Sequence, residues 1–289
     1  TPPTLFDPGG SAPLHQRSGR DTHRIIKPAD LQHVQTGADT ETKFVKLGQR
    51  PARYFLKELL PEHGKSIEKS ISTADDSVPT VYAYTEADLH PFLAYYARLY
   101  FKAYTKTIRH STSNKKSFGE WVHPDVIGVY YAVEDWTAEV LDLSAATGNP
   151  AVKLYSFEVK KGLSFSNLRE AFFQAVSNSS WAHEGYLVAA EISTDEDFLT
   201  ELRRLAAAFG IGVIRLALDD PDSSEVLVPA RERETLDWDT LNKLTMNNDV
   251  TELLTRIKND LQTKEVIREK YDAVYTAEEL VKRIKKKSA

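Results

Sequence analysis

The chain has 289 residues, 41% of them apolar and 27% charged, a net charge of −5 and no cysteine. These values describe a globular protein with a core of ordinary size, and they exclude disulfides and thiolate metal sites. No apolar run approaches the ~18 residues of a membrane span and no signal-peptide pattern opens the chain, so a cytoplasmic protein without membrane contact is expected.

Residues 1–19 are rich in Pro, Gly and Ser, have no hydrophobic period, and predict a flexible arm. KFVKLGQRPARYFLKEL, starting at Lys43, alternates as a β-hairpin does, with Gly48-Gln49-Arg50 at the turn. This first region, 1–62, is too short to bury a core alone. A polar, acidic stretch to Pro79 reads as a linker. TEADLHPFLAYYARLYFKAY then offers Thr85 as a helix N-cap, with Leu89, Leu93, Tyr96 and Tyr100 at helical spacing. Lys106 to His110 predicts a short strand, Ser111 to Gly119 a polar turn, and Pro124 to Ala132 and Leu154 to Lys160 two further strands. Ser164 to Ser180 reads as a helix with Leu168, Phe172, Ala175 and Val176 on its apolar side. Buried strands over Gly185–Glu191 and Ile211–Leu216 bracket a helix over Asp195–Phe209. The order helix, three strands, helix, strand, helix, strand predicts an α/β fold over 80–230, a mixed central sheet flanked by helices. Residues 231–289 predict a charged, helical C-terminal extension.

The chemistry concentrates on two of these strands. Pro124 suits a strand's first residue and puts Asp125 at its mouth. Glu158 and Lys160 stand at i and i+2 on the next strand and share a face. If the strands pair, Asp125 and Glu158 approach within a few ångströms, and two carboxylates that close raise each other's pKa. A divalent cation between them removes the conflict, and carboxylate with water is the ligand set Mg²⁺ prefers. Lys160 beside it can hold or activate a water and offset charge on phosphorus. Taken singly, Glu-x-Lys is a common strand salt bridge and Asp after Pro a common strand start. The two together, in this order and with these flanking elements, are far rarer.

Asp125 followed by Glu158-Val159-Lys160 resembles the P-D…(D/E)-x-K signature of the restriction-endonuclease-like superfamily. EADLHPFL, YTKTIRH, GEWVHPDVIGVY, YSFEVKKGL and REAFFQAVSNSSWAHEGYLVAAEI together resemble the HrgA-like restriction endonucleases of bacteria, over roughly Lys43 to Asn247. That family pairs an N-terminal HARE-type winged helix with a nuclease domain, and KFVKLGQRPARYFLKEL resembles the end of the winged helix. The resemblance implies a restriction-endonuclease-like core. It also implies Mg²⁺, with Mn²⁺ as a substitute, held by Asp125, Glu158 and an additional acid at Glu86. Gln174 lies on the helix that follows, where some exonuclease-like branches carry Gln and Tyr four residues apart; Asn178 stands in the Tyr position.

Lys106, Arg109, Lys115 and Lys116 fall just before Asp125 in a stretch without acids and, with Asn178, are expected to face a nucleic-acid backbone. The basic run Lys282, Arg283, Lys285, Lys286 and Lys287 reads as a solvated surface. The sequence therefore predicts a metal-dependent DNA endonuclease of restriction or anti-phage defence, with Asp125, Glu158, Lys160 and Gln174 catalytic. A duplex cutter needs one copy per strand, so a homodimer on double-stranded DNA is expected. A non-cleaving binding module on the same fold, or a nuclease acting on RNA, fits the same residues.

Overall fold

The computed structural model describes residues 44–47, 53–56, 83–109, 123–149 and 151–288. Strands β1 (Phe44–Leu47) and β2 (Arg53–Leu56) pair antiparallel with Phe44 opposite Leu56, the hairpin that the alternation predicts. Its turn lies outside the described residues, as do residues 1–43.

The main sheet has six strands in chain order: β3 (Tyr104–Thr107), β4 (Val126–Tyr131), β5 (Val152–Leu163), β6 (Glu184–Ile192), β7 (Gly212–Arg215) and β8 (Glu225–Val228). The three strands β5, β6 and β7 run parallel, and β3, β4 and β8 join antiparallel. This is a mixed, open α/β sheet. Parallel neighbours need long crossovers, which α3 (Leu168–Ser177) and α4 (Glu196–Phe209) supply.

Period-two alternation separates the two faces. On one, Val126, Tyr155, Phe157, Val159, Tyr186, Val188 and Ile214 pack under α1 (His90–Tyr100) and the last helix, α7 (Ala277–Ser288). On the other, the helices form two groups. Over β6 and β7, Leu187, Ala189 and Val213 meet α3 and α4 through Phe172, Phe198 and Leu202. Over β3, β4 and the start of β5, Ile127, Val129 and Leu154 meet α5 (Trp238–Leu244) and α6 (Asn248–Thr263) through Leu241, Val250, Leu253 and Ile257. Helices α5, α6 and α7, all beyond residue 231, thus complete both layers of the sandwich.

Some boundaries differ from the sequence reading. The first helix ends at Tyr100, because Lys102 takes a left-handed φ of 53° and Ala103 N–H turns back to the Ala97 carbonyl. That reversal brings β3 in at Tyr104, two residues early. Helix α2 (Ala138–Ala146) was not expected; only Ser144 of it is buried, so no apolar stripe announces it. Strand β8 is four residues long and was likewise not expected.

Candidate active site

The antiparallel ladder between β4 and β5 ends where Val126 faces Phe157. Strand β5 continues to Leu163, so its later backbone groups have lost β4 as a partner on that edge. Side chains take over. Asp125, one residue before β4, accepts the Val159 N–H on Oδ2 at 2.8 Å. Glu86, in the 3₁₀ turn Glu86–Leu89 that leads into α1, accepts the Lys161 N–H on Oε1 at 3.3 Å. The acid at the mouth of β4 therefore has a local reason to be there: it caps an open strand edge that would otherwise present an unpaired donor.

Glu158 and Lys160 project from β5 on the face with two helix groups, between them. Lys160 Nζ lies 2.7 Å from Glu158 Oε1, and both side chains are largely buried. The other carboxylate oxygen, Oε2, accepts from Asn178 Nδ2 at 3.0 Å, and the same amide reaches the His123 carbonyl at 3.3 Å. Asn178 caps the C-terminus of α3, and its own carbonyl receives Ser156 Oγ at 2.8 Å and Trp181 Nε1 at 2.7 Å. One residue thus fastens α3 to β5 and holds Glu158 in place.

Burial pushes the Glu158 carboxyl above the usual carboxylate range, and the charge of Asp125 pushes further, against Lys160 and Asn178, which favour the ionised form. Burial draws the Lys160 ammonium down, but Glu158, Asp125 and Glu86 more than offset it and hold it above its ordinary value. Lys160 is therefore a fixed positive charge at neutral pH. That suits it to stabilising negative charge rather than to taking a proton.

Gln174 sits one turn before Asn178 along α3, half-buried. Its Oε1 is buried and has no hydrogen-bond donor among the described residues, and neither has Asn178 Oδ1. Buried acceptors without donors are costly unless a ligand or water supplies the hydrogens.

Of the residues expected to contact a nucleic-acid backbone, Asn178 and Arg109 are engaged within the protein. Asn178 is 4% exposed and turned onto Glu158, so it supports a carboxylate instead of facing a ligand from outside. Arg109 gives its guanidinium to Asp249 in a two-pronged pair, Nη2 to Oδ1 at 2.7 Å and Nε to Oδ2 at 3.1 Å, and so ties the end of β3 to the start of α6. Lys106 is half-buried on β3. Lys115 and Lys116 lie outside the described residues. Glu86 does not join a three-carboxylate cluster: among the described residues no three His, Cys, Asp or Glu side chains gather to hold a metal ion.

His90 was not singled out from the sequence. Its Nδ1 lies 3.3 Å from Thr107 Oγ1, which also donates to Asp272 Oδ2 at 3.1 Å. Burial lowers its pKa, with Asp125 the largest opposing charge, so a neutral imidazole stands close to the Asp125 side of the site. A lone His at a helix start carries no spacing signal, and Asp272 is distant in sequence, so only the fold joins them. Comparisons of the chain with protein-family models, curated proteins and solved structures find no match. No helix among the described residues is long and apolar enough to cross a membrane.

Proposed function

We propose that the chain is a Mg²⁺-dependent nuclease that hydrolyses DNA phosphodiester bonds on a restriction-endonuclease-like core, as in bacterial restriction or defence. The observation that carries this reading is the joining of Asp125 and the Glu158–Lys160 pair at one open strand edge, with a 2.8 Å bond from Val159 N–H to Asp125 and a 2.7 Å Lys160–Glu158 contact. The donor set fits the metal. Asp125 and Glu158 offer hard oxygens, burial and then the charge of Asp125 raise the Glu158 pKa, and a cation that keeps most of its waters needs few protein ligands. The unpartnered Gln174 Oε1 fits the same picture, since a bound water is a donor.

Asp125 and Glu158 would hold the cation, with Glu86 near the rim on Lys161 N–H. When bound, the metal supplies Lewis acidity and a water of lowered pKa. Lys160, held cationic by Glu158, stabilises the negative charge that builds on the phosphoryl oxygens during in-line attack. Gln174 orients a water through its Oε1. Asn178 keeps Glu158 aimed and favours its ionised form. Two copies on duplex DNA, one per strand, would give a double-strand break.

The test is supercoiled plasmid incubated with the full chain in Mg²⁺ or EDTA, beside Glu158→Ala. Nicking or linearisation in Mg²⁺ that disappears in EDTA and in Glu158→Ala supports the reading. Salt-sensitive binding without cleavage in Mg²⁺ or Mn²⁺ refutes it in favour of a binding module, and RNA in the same tubes reports the sugar preference.

A further inference from the structure

Hydrolysis of a phosphodiester needs an acceptor for the proton of the attacking water, and the groups at the Asp125–Glu158 site are committed elsewhere. Lys160 is held cationic. Both oxygens of Glu158 accept hydrogen bonds, Oε1 from Lys160 and Oε2 from Asn178, and Asp125 Oδ2 accepts the Val159 N–H. His90, half-buried at the start of α1, is left with an uncommitted nitrogen.

The strand order places it. Glu86 reaches the Lys161 N–H on β5 at 3.3 Å, and four residues later His90 Nδ1 reaches Thr107 Oγ1 on β3 at 3.3 Å. Strand β4 lies between β3 and β5, so the turn Glu86–Leu89 passes across the end of β4. Asp125 is the residue at that end: Thr107 stands opposite Val126, and the Ile108 N–H donates to the Asp125 carbonyl at 2.9 Å. Among the charges around the imidazole, Asp125 acts most strongly. Asp272, ahead of α7, and Glu86 and Asp88, in the turn before His90, follow, and Lys287 neutralises Asp88.

The hydrogen bonds also set the tautomer. Thr107 has one hydroxyl hydrogen and gives it to Asp272 Oδ2 at 3.1 Å, so its oxygen accepts from Nδ1–H. The lone pair is then on Nε2. That atom has no hydrogen-bond partner among the described residues and is not sealed from solvent. Burial keeps the ring neutral against the surrounding acids. An imidazole held by one nitrogen, with a carboxylate behind it, is oriented to use the other as a base.

We propose that His90 is the general base of this site, its Nε2 taking the proton of the attacking water while Thr107 and Asp272 hold the ring. The inference rests on the nuclease reading. The water oxygen forms the new bond to phosphorus, the phosphorus–ester oxygen bond breaks, and the leaving oxygen takes a proton from solvent. The imidazolium then returns its proton to solvent.

The test is single-turnover nicking of supercoiled plasmid over a Mg²⁺ series for wild type and His90→Asn, with Tm measured on both. Asn keeps an amide N–H near the Nδ1 position but supplies no base. We expect an unchanged Tm, an unchanged half-saturating Mg²⁺ concentration, and a saturated rate lower by about 10²-fold or more. Added imidazole should raise the rate of His90→Gly. Imidazole ¹⁵N NMR of the full chain is independent of cleavage: the signals lost in His90→Asn should report a neutral ring protonated on Nδ1. A cleaving wild type matched in rate by His90→Asn, a loss confined to weaker Mg²⁺ saturation, or an Nε2–H tautomer would overturn the base and leave the nuclease standing. A wild type that does not cleave refutes the nuclease reading, and the base with it.

Discussion

Removing the Asn178 side chain isolates the support under Glu158. Asn178→Ala deletes the 3.0 Å bond to Glu158 Oε2 and the 3.3 Å bond to the His123 carbonyl, but leaves the backbone carbonyl that Ser156 and Trp181 use. Helix α3 should therefore stay docked. A hydrogen bond to a charged, buried group contributes about 1.5–3 kcal/mol, and the second, longer bond adds less. A loss of about 2–3 kcal/mol follows, or roughly 5–10 °C in Tm for a chain of this size. The loss should depend on pH. Asn178 favours the ionised form of Glu158, so its removal costs most above the raised Glu158 pKa and least once Glu158 is protonated. Asn178→Asp sharpens the test, because an isosteric acceptor then faces Glu158: it should be less stable than the Ala variant at pH 8 and recover toward it at pH 5. Urea unfolding at both pH values gives the comparison. Variants within about 0.5 kcal/mol of wild type, or an Asp variant as stable as Ala at pH 8, would refute a load on this contact.

Glu158→Gln cannot ionise. Glu158 has a raised folded pKa, so in wild type its contribution is favourable at low pH and is lost as pH rises from 4.5 through the folded value. The Tm of the Gln variant relative to wild type should accordingly increase from pH 5 to pH 8, by differential scanning fluorimetry, and a flat difference would contradict a Glu158 carboxyl raised by burial and by Asp125. Asp249 behaves oppositely: its bonds to Arg109 hold its carboxyl down at about 2. It contributes about 1 kcal/mol after allowance for the exposed guanidinium, present above pH 3.8 and lost as pH falls toward 2, and Asp249→Asn should remove that dependence in acid denaturation. Gly128 sits on β4 where a Cβ would come within 2.7 Å of the Phe157 ring, so Gly128→Ala should cost about 1–3 kcal/mol in urea unfolding. Asp125→Asn should abolish Mg²⁺-dependent plasmid cleavage by at least about 10²-fold while keeping the fold; wild-type rates in that variant would remove Asp125 from the chemistry.

The sheet was legible because β4 and β6 carry apolar runs, VIGVYY and GYLVAA, and β5 alternates apolar with polar residues, which hydrophobic periodicity reports directly. Helix α2 was not, since it lies on the surface with Leu143 64% exposed and has no stripe to read. At the site, Glu158 and Lys160 could be placed on one face from their spacing of two. The pairing of Asp125 with β5 follows from register: Val126 faces Phe157. What could not be read is where strand pairing stops. The loss of β4 beyond Phe157 gives Asp125 and Glu86 their backbone partners, and it depends on two strand ends at once. Asn178 and Arg109 show the same limit from another side. Each is a polar residue beside a motif, and only packing reveals that one is buried on Glu158 and the other committed to Asp249, 140 residues away. The His90–Thr107–Asp272 contact joins three distant segments and leaves no local pattern.

Calorimetric titration of the chain with Mg²⁺ and Mn²⁺, for wild type, Asp125→Asn and Glu158→Gln, is the most direct measurement. One divalent site in wild type that is lost in both variants is the expected result. A wild type without binding, or variants that bind as wild type does, would show that these two carboxylates do not share a cation.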